Sequence, residues 1–209
     1  MERREAVKYI SILLGGALVG ADAFLSGCKS NTGKPGEWSA DDIAYLNEVG
    51  ETILPQTSTP GAKAANVGQF MTVMVNDCYE AGDQKAFREG MDKLHEESKK
   101  KFSKDFMNIS ADQRKELLIG LDKEAKEYQK KVSDFNSTEG KKEKEEIAKG
   151  NKNYKRQKMS PHYFSMMKQL TLLGYFTSEV GSTKALRYVP VPGRYEGCIP
   201  YKKGDRAWA

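Results

Sequence analysis

Cysteine, histidine and tryptophan are scarce in this 209-residue chain: three, two and two. Structural zinc sites and iron–sulfur clusters need sets of these ligands, and Cys28, Cys78, His95, His162 and Cys198 are too few and too scattered to form one. No CxxCH motif is present for covalent haem attachment, and no histidine pair is placed to deprotonate an alcohol. Gly15-Gly16-x-x-x-Gly20 superficially resembles a dinucleotide loop, but no strand precedes it, so a flavin or nicotinamide fingerprint is missing. An excess of one charge sign is missing too. Thirty-four Lys and Arg face 29 Asp and Glu, and the net +5 is small for a nucleic-acid binder. Strand-like alternation is rare throughout. The hydrophobic content of 38% still suffices for one globular domain.

What is present begins with an address. Arg3, Arg4 and Lys8 precede an apolar stretch from Tyr9, and Leu25-Ser26-Gly27-Cys28 follows. A basic start, an apolar core and small residues before a cut site make a secretory signal peptide. Asp22 and the glycines interrupt a run barely long enough to span a bilayer, which argues against a transmembrane helix. Leu25, Ser26, Gly27 and Cys28 follow the lipobox pattern of bacterial lipoproteins. Small residues open the backbone to the peptidase, and the Cys28 thiol takes the acyl groups. Arg3-Arg4 with Lys8 also resembles a twin-arginine export signal, although Glu2 and Glu5 depart from its usual flanks. The expected organisation is a signal over 1–27, a lipid-anchored polar tether over 28–37 and a helical domain over 38–209. The location expected is the cell envelope, on a bacterial membrane facing the periplasm.

The domain reads as mainly α. Ser39 with Asp42 opens a helix carrying Ile43, Leu46, Val49 and Ile53, which Pro55 ends. Val67, Phe70, Met74 and Cys78 mark a second, with Cys78 expected as a small core residue. Asp83 is the expected cap of a third helix through Phe87, Met91, Leu94 and Phe102. Ser110 with Gln113 forms a capping box for a fourth, through Leu117, Leu121, Ala125 and Tyr128. Ser160-Pro161 restarts a helix with proline at its first helical position, followed by Phe164, Met167, Leu170 and Leu173, with Gly174 permitting close packing.

Between these lies a stretch of another character. Residues 129–158 hold ten basic and five acidic side chains and few apolar ones, so they carry the whole net charge. The expectation is a solvated charged helix or mobile insert, with a docking surface for acidic lipid or protein as the alternative. The tail from Arg187 has three prolines and three glycines, which favour an extended, turning path. Tyr188, Tyr195, Tyr201 and Trp208 are the types that anchor protein interfaces, or else pack the tail onto its own domain. Cys198 and Cys78 are candidates for a disulfide in an oxidising compartment, and two free thiols are equally compatible.

Leu54-Pro55-x-Thr57-x-Thr59-Pro60-Gly61-Ala62, Gly174-Tyr175-Phe176-Thr177-Ser178-Glu179-x-Gly181 and Pro192-Gly193-Arg194-Tyr195-x-Gly197 together resemble the gluconate 2-dehydrogenase subunit 3 family. The resemblance spans roughly 38–209. It implies a small accessory subunit of a glucose–methanol–choline type dehydrogenase for sugars or polyols. In such complexes a flavoprotein large subunit holds FAD and oxidises the substrate, and electrons pass to a cytochrome or another acceptor. The small subunit aids folding and export of its partner, and no catalytic residue, cofactor or metal is implied for this chain. Two other classes remain open at this point: a stand-alone envelope lipoprotein that binds carbohydrate or scaffolds a complex, and an enzyme using His162 near Ser160, or His95 near Glu96 and Glu97.

Overall fold

Two serines start the helices that frame the domain. In a computed structural model, which describes residues 37–191, 193–194 and 197–209, the Ser39 hydroxyl accepts the Asp42 N–H (3.1 Å) while the Asp42 carboxylate accepts the Ser39 N–H (2.9 Å). This reciprocal cap satisfies orphan donors at the start of α1 (Ala40–Ile53). Ser110 and Gln113 do the same for α4 (Ala111–Ala148), at 3.2 and 3.0 Å. Between them lie α2 (Val67–Cys78) and α3 (Ala81–Phe102), and α5 (Tyr163–Phe176) follows. The fold is mainly α, and among the described residues no strand forms. Short 3₁₀ turns at Ala62–Ala65 and Phe106–Asn108 make corners, and a π turn, Gly181–Ala185, follows α5.

The core sits around α5, which packs against all four other α-helices. Met167 and Leu170 meet Leu46 and Val49 of α1, Val67, Met71 and Val75 of α2, and Phe87 and Leu94 of α3 within one buried cluster. Each such side chain contributes about 1.5–3 kcal/mol by leaving water. Gly174 does permit close packing: the Phe70 ring lies where a Cβ would stand. The buried cluster lies wholly within Trp38–Ala209, a compact unit with its own core.

Several local expectations are corrected. Cys78 is exposed because α2 ends there, and the buried face of α2 is Val67, Gly68, Met71, Thr72 and Val75. Glu80, not Asp83, precedes α3, and the Asp83 carboxylate instead takes Lys158 at 3.2 Å. Pro161 lies outside α5; His162 is the N-cap, its Nδ1 accepting the Phe164 N–H at 3.2 Å. Leu173 faces solvent.

The charged stretch is no separate insert at its start. α4 runs unbroken for 38 residues, about 57 Å at 1.5 Å per residue. Its distal half and the returning segment 149–158 form an arm pinned by Glu139, one of the few buried charged residues. That carboxylate accepts from Lys142 Nζ (2.7 Å), Tyr154 Oη (3.0 Å) and the Gln157 N–H (3.3 Å). Arg156 adds a hydrogen bond to the Asn136 carbonyl at 2.7 Å. The Lys142 ammonium first, then the Tyr154 hydroxyl, holds the Glu139 carboxyl below its ordinary range.

A carboxyl whose pKa falls on folding stabilises the arm above the unfolded pKa, and that contribution disappears as pH drops through the folded value. Acid is therefore expected to release 149–158 while the core persists, read as loss of hydrogen-exchange protection confined to that segment. At neutral pH, Glu139→Gln should speed tryptic cleavage at Lys152, Lys155 and Arg156 about tenfold with the main melting transition nearly unmoved, since local opening is separable from global unfolding. Cleavage unchanged by the substitution would show that Glu139 is not the pin.

Candidate partner interface

The loop after α1 is built by an acidic clamp. Glu51 Oε1 accepts the Gln56 N–H at 2.8 Å, and Oε2 accepts the Lys63 N–H at 2.9 Å. A Cβ on Gly61 would fall on that carboxylate, so only glycine lets the loop close. From α5, Tyr175 donates its hydroxyl to the Pro60 carbonyl at 2.6 Å. A Cβ on Gly181 would run into the Tyr175 carbonyl, so the π turn is also closed by glycine. The Leu54–Ala62 and Gly174–Gly181 sequence blocks thus meet through Tyr175 and Pro60, 115 positions apart in the chain.

From this junction the chain enters the tail, where every described residue from 188 to 209 is exposed. It does not fill a groove between the helices. Instead its two ends meet: the Arg187 N–H donates to the Ala207 carbonyl (2.8 Å), and the Ala209 N–H donates to the Arg187 carbonyl (3.2 Å). The Arg187 guanidinium lies 4.7 Å from the centre of the Trp208 ring and 3.8 Å from the Asp205 carboxylate. Cation–π and ionic contacts of this kind are each modest at an exposed site, but here they act together with two backbone bonds. The clasp borders an open hollow of about 480 Å³, to which Leu186, Arg187, Tyr188, Gly204, Asp205 and Arg206 contribute.

The closed loop displays apolar surface. Tyr188, Val189, Val191, Ile199, Tyr201 and Trp208 are all exposed, Val191 to 80% and Tyr201 to 76%. Leu172, Leu173 and Phe176 add a second exposed apolar face, at the end of α5, where their i, i+1 and i+4 spacing keeps them on one side. Concentrations of exposed apolar side chains mark interaction sites more often than scattered single ones do. Arg187 and Asp205 were not singled out by the sequence; no spacing rule links a residue at the start of a tail to its final turn.

The remaining candidates separate. Tyr195, together with Arg3, Arg4, Lys8, Leu25, Ser26, Gly27 and Cys28, lies outside the described residues. Cys78 and Cys198 are both free thiols, each exposed, and no bridge joins them. His95 stacks on Tyr45, ring centres 4.4 Å apart, and its charged neighbour is Asp105 at 4.0 Å rather than Glu96 or Glu97. His162 stacks on Tyr163 at 4.4 Å and lies 3.7 Å from Glu124. Burial lowers the pKa of both imidazoles. Among the described residues no hydroxyl or thiol is hydrogen-bonded to either imidazole, and no three His, Cys, Asp or Glu side chains come together to hold a metal ion. No described helix is long and apolar enough to cross a membrane.

The sequence model for gluconate 2-dehydrogenase subunit 3 matches residues 40–193, which contain the helical core, the clamped loop and the junction at Tyr175. The chain belongs to the gluconate 2-dehydrogenase subunit 3 family. It is accordingly a subunit of an oxidoreductase complex of the gluconate 2-dehydrogenase type, associating with the other subunits of that complex. No curated protein and no solved structure matches the chain.

Proposed function

We propose that this family member is the non-catalytic small subunit of a membrane-associated, FAD-dependent sugar or polyol dehydrogenase. It aids the folding and export of a flavoprotein of the glucose–methanol–choline type, which holds FAD, oxidises the substrate and passes electrons to a cytochrome or another acceptor. A lipidated Cys28 keeps the subunit on the membrane, and Arg3-Arg4 routes the assembled pair through twin-arginine export. The observation that carries the reading is the exposed aromatic tail on a family-typical core: six large apolar side chains stand in water on one segment. Tyrosine and tryptophan are the residues that supply most binding energy in protein interfaces.

Detergent extraction through a tag on this chain should recover a flavoprotein with its yellow absorbance. Recovery of the chain alone from cells that express the flavoprotein would overturn the assignment and favour a stand-alone lipoprotein. Mass spectrometry of the extracted subunit should find a mature chain that begins at Cys28 and carries acyl groups there; an unacylated Cys28 would refute lipidation.

A further inference from the structure

The arm formed by the distal half of α4 and residues 149–158 makes only part of its charge internally redundant. Lys142 pairs with Glu139, Lys149 with Glu146 and Arg156 with Glu143, while Lys158 reaches Glu80 and Asp83. Lys130, Lys131, Lys141, Lys144, Lys152 and Lys155 are exposed and make no ion pair among the described residues. Lys130, Lys141 and Lys144 fall at i, i+11 and i+14, on the side of α4 opposite the buried Leu121, Ala125 and Val132. The arm is held in shape by its own carboxylates and presents the rest of its lysines outward.

We propose that this arm docks on the anionic headgroups of the membrane to which the subunit is attached. The inference rests on the attachment proposed above. Residues 29–37 reach about 30 Å at full extension, so an acylated Cys28 keeps the folded unit close to the bilayer. Close to that surface, a basic segment on an otherwise neutral protein experiences the attraction to anionic lipid that polybasic segments use. The residue types decide between lipid and protein. Nine of the ten cations in 129–158 are lysine, which is depleted in protein interfaces, whereas the tail carries the tyrosine, tryptophan and arginine enriched there. Lysine is a flexible point charge suited to a diffuse layer of phosphates, while bidentate recognition favours arginine. The molecule thus divides its contacts, with the tail for protein and the arm for lipid.

The test uses the mature chain with Cys28→Ala, which has no acyl group and keeps the complete core, so its result does not depend on lipidation. It should co-sediment with phosphatidylcholine vesicles containing phosphatidylglycerol but not with phosphatidylcholine alone, and raising salt should release it. Replacing the six lysines by glutamine should weaken binding at least about tenfold, and replacing them by arginine should preserve it, since the interaction is one of charge. Equal binding to neutral and anionic vesicles, or no loss in the glutamine variant, overturns the proposal. So does a glutamine variant that binds vesicles normally but no longer recovers the flavoprotein, which would make the arm a protein contact. An unacylated Cys28 in the subunit extracted from cells would instead strike the anchor.

Discussion

Gly68→Ala is expected to destabilise the domain by about 2–3 kcal/mol, despite alanine being the better helix former. α1 and α2 cross with their backbones in contact at this point. A Cβ on Gly68 would run into the Ile43 carbonyl oxygen and lie 2.9 Å from the Asn47 nitrogen, both main-chain atoms of α1. Backbone cannot swing aside as a side-chain terminus can. The crossing is also fixed by hydrogen bonds: Asn47 Oδ1 accepts the Gly68 N–H at 2.8 Å, and Asn47 Nδ2 donates to Asn66 Oδ1 at 2.9 Å. Forcing the helices apart therefore loses packing around Leu46 and Val67 as well as the Asn47 bond. The roughly 1 kcal/mol that alanine gains within a helix is outweighed. For a domain of this size the loss should lower the melting temperature by about 4–12 °C. Gly120→Ala is the control: nothing lies within 4 Å of its added methyl, so it should be neutral or stabilising. Equal melting temperatures for the Gly68 variant and the unaltered chain would show that the two helix backbones can separate at this crossing without loss.

How much of this was readable beforehand follows from which interactions are local. Both serine capping boxes lie within four residues, and the structure has them as the sequence implies. The core stripes of α1 and α4 were readable for the same reason, since helical spacing fixes which residues share a face. Asp83 reads as a cap from its neighbours alone because its decisive partner, Lys158, is 75 positions away. Glu139 looked like one more solvated acid, and only the return of Tyr154 and Gln157 buries it. The same holds for Glu51, whose carboxylate seems an ordinary helix-surface charge until the Gln56 and Lys63 amides arrive. Cys78 differs for another reason: its spacing from Met74 suits a shared face, but α2 stops there and leaves it exposed.

The candidate interface shows the same division. Aromatic content and turn residues were enough to pick out Tyr188, Tyr201 and Trp208 and an extended path. The clasp was not legible, because it depends on Arg187 meeting Ala207, Trp208 and Ala209 across a loop of about 20 residues, and a loop of that length closes in many ways for similar entropy. Closure has a functional consequence. A tail tied at both ends loses less conformational freedom on binding than a free strand, and this preorganisation lowers the cost of presenting exposed aromatics to a partner.

Truncation after Arg187 should abolish recovery of the flavoprotein while leaving the helical circular-dichroism signal and melting temperature nearly unchanged. The two outcomes are separable because the tail adds no residue to the buried core, the last members of which are Tyr175 and the partly buried Ala185. Tyr188, Tyr201 and Trp208 are removed together. At about 1.5–2 kcal/mol for each aromatic anchor, the combined loss exceeds a thousandfold in affinity. A Tyr201→Ala and Trp208→Ala double variant should lose at least about a hundredfold, with loss of the Arg187 stack loosening the clasp as well. A truncated chain that loses its helical signal would mean that the tail supports the fold despite its exposure. A truncated chain that still recovers the flavoprotein would move the interface to Leu172, Leu173 and Phe176, the other apolar face left open to solvent.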